Sequence, residues 1–392
     1  MKYQHPVYLV AARRSAIGRF GGGFKSLAPV DLALPVAEAV VPAALKPAID
    51  QVILGQVLQA AGGMNVARQL GLRLDLPQSS PAFTVNMVCA SGLKAIALAA
   101  DSIATDESAL VLAGGVESMS RAPHYATDLR WGKKLGAGSL EDSIATDGLT
   151  DPFLKIGMGD TAEHIAENLK ISREEQDQFA LLSQQRAAAA REACQREIVP
   201  IKTRDGDITH DEHPRADTTL EKLAQLKPAF RPTGTVTAGN ASGLNDAAAL
   251  VLLASEAAVK QHALQPLARI VAATSVGCDP ATMGLGPVGA IRKVCDEAGW
   301  KLEDVDAIEI NEAFAAQVLG CAKELGLDME KLNQRGGGIA LGHPLGCSGA
   351  RVLVTLLHLM QDKNLKRGIA SLCVGGGMGI AMAIELISCD DL

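Results

Sequence analysis

Two cysteines, a histidine and an asparagine stand in segments whose neighbours suit covalent chemistry. Cys89 occurs in Asn86-Met87-Val88-Cys89-Ala90-Ser91-Gly92, between an apolar run at 81–85 and a helical stretch at 93–104. A cysteine at a strand-to-helix turn meets backbone N–H groups and the positive end of a helix dipole, which stabilise the reactive thiolate. A buried structural cysteine is the other reading, and position alone does not separate the two. His343 lies in Gly336-Gly337-Gly338-Ile339-Ala340-Leu341-Gly342-His343-Pro344-Leu345-Gly346. Glycines on both sides let other backbone approach the imidazole, which can take a proton from a thiol near neutral pH; a purely structural histidine is the alternative. Cys373 opens Cys373-Val374-Gly375-Gly376-Gly377-Met378-Gly379, a strand running into glycines. Such a segment can aim N–H groups at a developing oxyanion while presenting a second thiol, or can be just a tight turn after a core strand. Asn311-Glu312-Ala313-Phe314 follows a strand-like run, where α/β folds place ligand sites, although Asn311 also suits a helix N-cap. His5, His210, His213 and His358 have less suggestive neighbours.

The elements that must position these residues read as an α/β fold. Short β-rich runs alternate with Ala/Leu-rich helical stretches: VYLVAA from Val7, QVILGQVL from Gln51, ALVLAGG from Ala109, AALVLLA from Ala248, RIVAA from Arg269, DAIEI from Asp306 and GIASLCVGG from Gly368. Continuous apolar runs of this kind imply strands covered on both faces. Between residues 121 and 231 the texture turns polar and loop-rich around one strong helical segment at 173–190, which reads as an inserted loop domain. The two ends also echo each other. Cys89-Ala90-Ser91-Gly92 opens a helix leading to a strand that ends at Gly114-Gly115, and Gly346-Cys347-Ser348-Gly349 opens another leading to Gly375-Gly376-Gly377. Two similar halves with a site between them follow from that echo.

A chain of 392 residues is long enough for two or three domains and a large core. Its 48% hydrophobic and 21% charged residues exclude a disordered chain, and 39 glycines beside 3% aromatics favour backbone-built sites over aromatic stacking. A formal net charge of -7 argues against non-specific binding to nucleic acid but leaves room for a local basic patch facing a phosphorylated ligand. The apolar stretch at 7–12, followed by Arg13 and Arg14, does not fit a signal peptide, and no apolar run approaches a membrane span. Eight scattered cysteines without a CxxC pair favour a reduced, cytoplasmic setting and neither disulfides nor a metal site.

Taken together the four motifs closely resemble the thiolase family. The resemblance extends over nearly the whole chain, including residues 13–22, Gly114-Gly115-Val116-Glu117-Ser118-Met119-Ser120, residues 234–243 and Met283-Gly284-Leu285-Gly286-Pro287. It implies two similar βαβαβαββ halves in a layered α/β/α/β/α core. The N-terminal half would span residues 1–120 and be completed by about 244–266. A CoA-binding loop domain would span 121–243, and the C-terminal half 267–392. By the same resemblance Cys89 is the acylated nucleophile, His343 activates it and Cys373 exchanges a proton with the α-carbon of acetyl-CoA. Asn311 holds a water that forms one oxyanion hole with His343, and the N–H groups of Cys89 and Gly375 form the other.

Coenzyme A and acyl-CoA act as substrates, with no tightly bound cofactor. Ser242 would lie near the pantetheine, Arg215 near the adenine and phosphate end, and Ala238, Phe230, Met158, Met283 and Phe314 along the tunnel. Ser242 as a turn residue and Phe230 as core are the plainer readings. Many short-chain biosynthetic thiolases have a His-Met pair where this chain has Gly157-Met158, while Gly342-His343-Pro344-Leu345-Gly346-Cys347-Ser348-Gly349 resembles degradative members. Both features lean towards a 3-ketoacyl-CoA thiolase of relaxed chain length. Residues 127–138, with Leu129, Trp131 and Leu135, resemble the loop that joins dimers into a homotetramer, or form an ordinary surface loop. A 3-ketoacyl synthase, which pairs its cysteine with two histidines, and a non-catalytic acyl-CoA-binding protein are the competing functions.

Overall fold

The computed structural model describes residues 2–387, so the last five residues of the expected C-terminal half lie outside it. Its frame is a path of nine strands: β1 Lys2–Ser15, β2 Gln51–Gly55, β3 Ala82–Val85, β4 Leu110–Ser118, β5 Asn245–Ser255, β6 Ala268–Gly277, β7 Ala307–Ile310, β8 Arg367–Val374 and β9 Met378–Leu386. Their order is β7-β8-β9-β6-β1-β5-β4-β2-β3. The long β1 joins two sheets, because it pairs antiparallel with β5 on one side and with β6 on the other. Within the first sheet β2 runs parallel to β3 and β4, and within the second β7 runs parallel to β8.

Two helices, α3 Ser91–Ala104 and α8 Leu345–Lys363, lie between the sheets and share one apolar cluster with strands of both. That position explains their composition: every residue of α8 from Leu345 to Met360 is buried, as expected of a helix with no solvent face. Glycine lets them touch backbone to backbone. A Cβ on Gly349 would lie 2.4 Å from Leu93 N, and one on Gly92 would lie 2.9 Å from Ala350 N. The outer face of the first sheet is covered by α1 Pro29–Val40 and α2 Val66–Arg73. That of the second is covered by α6 Gly286–Ala298 and α7 Ala315–Leu325. The result is the expected α/β/α/β/α layering.

Two strand expectations need correction. β4 does not end at Gly114-Gly115 but continues to Ser118. Those glycines keep the strand pressed against its neighbours: a Cβ on Gly114 would meet Ala249 O at 2.2 Å, and one on Gly115 would meet Gly346 O at 2.1 Å. β9, antiparallel to β8 after the glycine turn, is the closing strand that the βαβαβαββ pattern implies, but it was missing from the residue runs read as strands. The segment between β4 and β5 carries α4 Met158–Leu169 and α5 Arg173–Ala189, the latter opened by a capping box of Ser172 with Glu175. No helix among the described residues is long and apolar enough to cross a membrane.

Candidate active site

Cys89 sits one residue ahead of Ala90, the N-cap of α3. Val88 before it has φ +45°, a left-handed conformation that a β-branched residue adopts only under constraint. Ser91 supplies that constraint: its Oγ accepts from Met87 N (2.9 Å) and donates to Val88 O (2.7 Å), while Asn86 Oδ1 accepts from Val88 N (2.9 Å). The nearby backbone N–H groups of Gly375 and of Cys89 itself favour the thiolate. Burial outweighs them and pushes the thiol up to about 11. The expected stabilised thiolate is therefore corrected: at neutral pH Cys89 is a thiol that must give its proton to a base.

His343 likewise lies one residue ahead of an N-cap, Pro344 of α8. Gly342 has φ +109°, and a Cβ there would meet the Asn245 amide at 2.4 Å. That amide fixes the turn, since Asn245 Oδ1 accepts from His343 N (2.9 Å) and its Nδ2 donates to Gly18 O (2.9 Å). On the ring, Nδ1 lies 2.6 Å from Ser348 Oγ, and Asn311 Nδ2 lies 3.4 Å from both nitrogens. Burial first, and then the Arg351 charge, push the imidazole down to about 3. The ring is thus neutral at physiological pH and able to accept a proton.

Asn311 follows β7, and its N–H donates to Ser371 O (3.0 Å), which sets it beside the strand that ends in Cys373 and Val374. It is not a helix cap, because the N-cap of α7 is Phe314. Its side chain is buried, and Oδ1 has no hydrogen-bond partner among the described residues. Glu312 pins the neighbouring glycine run by accepting from Ser183 Oγ (2.6 Å), Asn333 Nδ2 (2.9 Å) and Ile339 N (3.2 Å). Cys373 is fully buried in an apolar cluster with Met158, Ala241, Met283 and Phe314. Burial, followed by the neighbouring Cys89, holds its thiol well above the usual range. The site residues are therefore two thiols, a neutral imidazole and an orphaned amide oxygen, all buried.

Two cavities adjoin this region. Arg215, Ala238 and Ser242 line one of about 400 Å³, together with His213 and Lys222. Ser242 N donates to Ala313 O (2.9 Å), which ties that wall to the Asn311 segment. Phe230 is 41% exposed and packs edge-on against Phe314 with ring centres 6.0 Å apart, so it is not core. Met283 and Phe314 are buried. Met158 lines the other cavity, of about 530 Å³, with Val57, Asn86, Val88, Thr150 and Gly375.

Residues 7–257 match the family model described as thiolase, N-terminal domain, and residues 264–386 match thiolase, C-terminal domain. A Chromobacterium violaceum protein named acetyl-CoA acetyltransferase is 51% identical over 388 residues, which is 97% of this chain and 99% of that one. The chain belongs to the thiolase family. Solved thiolase structures agree. A Bacillus anthracis acetyl-CoA acetyltransferase superposes with a TM-score of 0.95 at 48% identity, covering 99% of this chain and 100% of that one. A human mitochondrial 3-ketoacyl-CoA thiolase does so with a TM-score of 0.95 at 44% identity, covering 98% and 100%. The 3-ketoacyl synthase reading is thereby set aside.

Sequence reasoning missed several residues of this thiolase site. Glu117 near the end of β4 accepts from Val57 N (2.9 Å), Leu58 N (3.2 Å) and Gly346 N (2.8 Å), joining the wall of the second cavity to the start of α8. Its carboxyl is pushed up to about 7 by burial. Asn245, Ser348 and His213 were passed over too. Ser348 and Glu117 lay inside quoted motifs, but nothing in their spacing tells which backbone group each meets.

Proposed function

We propose that the protein is an acyl-CoA:acetyl-CoA C-acyltransferase that works through a Cys89 acyl-enzyme. In the first half-reaction His343 takes the thiol proton, the sulfur attacks the thioester carbonyl, and CoA leaves as its thiol by regaining that proton. In the second, Cys373 gives its thiol proton to His343 and, as the thiolate, removes a proton from the α-carbon of acetyl-CoA; the carbanion attacks the Cys89 thioester, the carbon–sulfur bond to Cys89 breaks to give a 3-ketoacyl-CoA, and the released Cys89 thiolate takes the proton back from His343. Thiolysis is the reverse. The observation that supports this reading is that the Gly375 turn packs against the Cys89 turn, where a Cβ on Gly375 would lie 3.5 Å from Val88 Cγ1, so that the N–H groups of Cys89 and Gly375 lie near the Cys89 sulfur, and that Cys373, two residues before that turn, is fully buried. Donors in that position meet the oxyanion that forms when the sulfur attacks. The orphaned Oδ1 of Asn311 supports a role in holding the water of the second oxyanion hole, beside His343.

CoA fits the cavity of Arg215, Ala238 and Ser242, with Phe230, Phe314, Met283 and Met158 leading inwards to the sulfurs. The bound ligand named for one relative supports this: a human mitochondrial 3-ketoacyl-CoA thiolase in complex with CoA, at a TM-score of 0.95. No tightly bound cofactor is needed for this chemistry. The loop domain at 121–243 would carry CoA, between halves at 1–120 with 244–266 and at 267–392. The substrate range is that of a 3-ketoacyl-CoA thiolase of relaxed chain length. A Cβ at Gly157 would find only ordinary contacts, Asp160 Oδ2 at 3.5 Å and Phe230 Cδ1 at 4.0 Å, so the space a larger residue would fill is open to an acyl chain. The exposed Leu129, Trp131 and Leu135 suit burial in a cytoplasmic homotetramer, a dimer of dimers.

Half-reactions test the mechanism. Cys373→Ala still takes a labelled acetyl group from acetyl-CoA onto the protein but forms no acetoacetyl-CoA, whereas Cys89→Ala does neither. A folded Cys373→Ala that takes up no acetyl group, or that condenses at the wild-type rate, refutes this division. Thiolysis of six- and eight-carbon 3-ketoacyl-CoA alongside acetoacetyl-CoA tests the substrate range, and light scattering tests the tetramer.

A further inference from the structure

The hydrogen bonds around His343 bear on which ring nitrogen carries its hydrogen. Its Nδ1 lies 2.6 Å from Ser348 Oγ, and that oxygen lies 2.9 Å from Pro344 O, one helical turn back. A carbonyl oxygen only accepts, so this second bond uses the single proton of the hydroxyl. With its proton on Pro344 O, Ser348 Oγ faces Nδ1 with lone pairs alone, and Nδ1 is then the donor. Both side chains are buried, His343 at 5% and Ser348 at 0% exposure. A neutral imidazole carries one hydrogen, and with that hydrogen on Nδ1 the other nitrogen keeps its lone pair.

We infer that Ser348 is the positioning residue that fixes the tautomer of His343, leaving Nε2 as the atom that takes the Cys89 proton. This rests on the acyl-enzyme reading above. In acylation the S–H bond of Cys89 breaks and an N–H bond forms at Nε2, while the sulfur pair makes the bond to the thioester carbon. The ring becomes an imidazolium, and its Nδ1–H keeps the Ser348 oxygen as acceptor. When the carbon–sulfur bond to CoA breaks, the Nε2 proton passes to the departing sulfur and the ring returns to its first state. Without an acceptor at Ser348, the ring is free to carry its hydrogen on Nε2, where it cannot act as a base towards Cys89.

Two substitutions and one spectroscopic measurement test this. Ser348→Ala removes the acceptor, whereas Ser348→Thr keeps a hydroxyl that can bond the carbonyl one turn back. In single-turnover experiments with labelled acetyl-CoA, Ser348→Ala should acetylate Cys89 about tenfold to a hundredfold more slowly, part of the roughly 10² to 10⁴ that a general base supplies. The acetyl-CoA concentration for half-maximal rate should change little, and Ser348→Thr should recover most of the rate. Histidine-selective ¹⁵N labelling, with the signal assigned by its loss in His343→Gln, should show Nδ1 protonated and Nε2 bare in the wild type. Ser348→Ala should show a mixture of tautomers or the opposite one. A folded Ser348→Ala that acetylates at the wild-type rate overturns the inference, as does a wild-type ring with its hydrogen on Nε2. If the wild-type protein takes up no acetyl group at all, the acyl-enzyme reading falls and the inference falls with it.

Discussion

The turns that lead into α3 and α8 are two versions of one device. Each places its reactive side chain one residue ahead of the helix N-cap, Cys89 before Ala90 and His343 before Pro344. In each a serine inside the helix reaches back to hold the turn, Ser91 to Val88 O and Ser348 to Pro344 O. Gly92 and Gly349, one residue beyond those serines, let the two helices touch backbone to backbone and so bring the turns together. The difference lies in how each turn tolerates its awkward residue. Before the base stands Gly342 at φ +109°, packed on the Asn245 amide; before the nucleophile stands Val88 at φ +45°, a residue under strain. The His343 turn is thus held by shape as well as by hydrogen bonds and the Cys89 turn by hydrogen bonds against strain, and substitutions should separate the two.

The largest effect is expected where the two devices meet. Gly349→Val would place a Cβ 2.4 Å from Leu93 N, in backbone that cannot move without parting α3 from α8. Overpacking against side chains costs about 1–3 kcal/mol. Here the obstacle is a helix backbone at the centre of the largest apolar cluster, so the variant should give no cooperative thermal transition. A variant that melts within a few degrees of the wild type would show that the helices are not in contact at this point.

The environment of the base should appear in the pH dependence of stability. Buried His343 is held at about 3 in the folded protein, against about 6.5 in an unfolded chain. As pH falls below 6.5 the unfolded chain binds this proton first. The stabilisation is therefore complete above 6.5 and is lost progressively as pH falls towards 3. Each unit of the gap is worth about 1.4 kcal/mol, so roughly 3 kcal/mol has gone by pH 4. His343→Gln lacks the titrating ring, and urea unfolding at pH 7 and pH 4 should show it losing less stability across that interval than the wild type. Equal losses would mean that the ring is not held neutral by burial.

These effects mark how far the sequence alone could reach. Catalysis demands particular residue types, and so Cys89, His343, Asn311 and Cys373 could be picked out as candidates from their glycine-rich settings and from family resemblance. The layered fold was legible too, because strands such as β4 and β5 are covered on both faces and read as continuous apolar runs. Burial was not legible. A turn before a helix suggested a thiolate at Cys89, but Val57, Leu58, Met119, Ile144 and Leu345 close over it, and desolvation outweighs the nearby N–H groups. Nor was β9, whose alternation is blurred by small residues in Gly379-Ile380-Ala381-Met382-Ala383. The roles of Ser348 and Asn245 depend on which turn of helix or strand faces which ring atom, and spacing along the chain carries no such information.

The smallest effect is expected at Val88, and it sharpens the contrast with Gly342. A non-glycine residue in the left-handed region costs about 1–3 kcal/mol, which Val88→Gly should relieve. Glycine in turn adds about 0.5–1 kcal/mol of unfolded-state entropy to be lost on folding, and the packing of the half-buried valine side chain disappears. The terms nearly cancel, so the melting temperature should move by only a few degrees in either direction. Activity should fall further than stability. Val88 lines the second cavity beside Gly375, and a freer turn holds the Cys89 sulfur less firmly against the two N–H groups. A misplacement of that kind weakens transition-state stabilisation while the fold stays intact. Acetylation of Cys89 should therefore slow several-fold at unchanged melting temperature. Unchanged acetylation would mean that Ser91 and Asn86 hold the nucleophile without help from the strained residue between them.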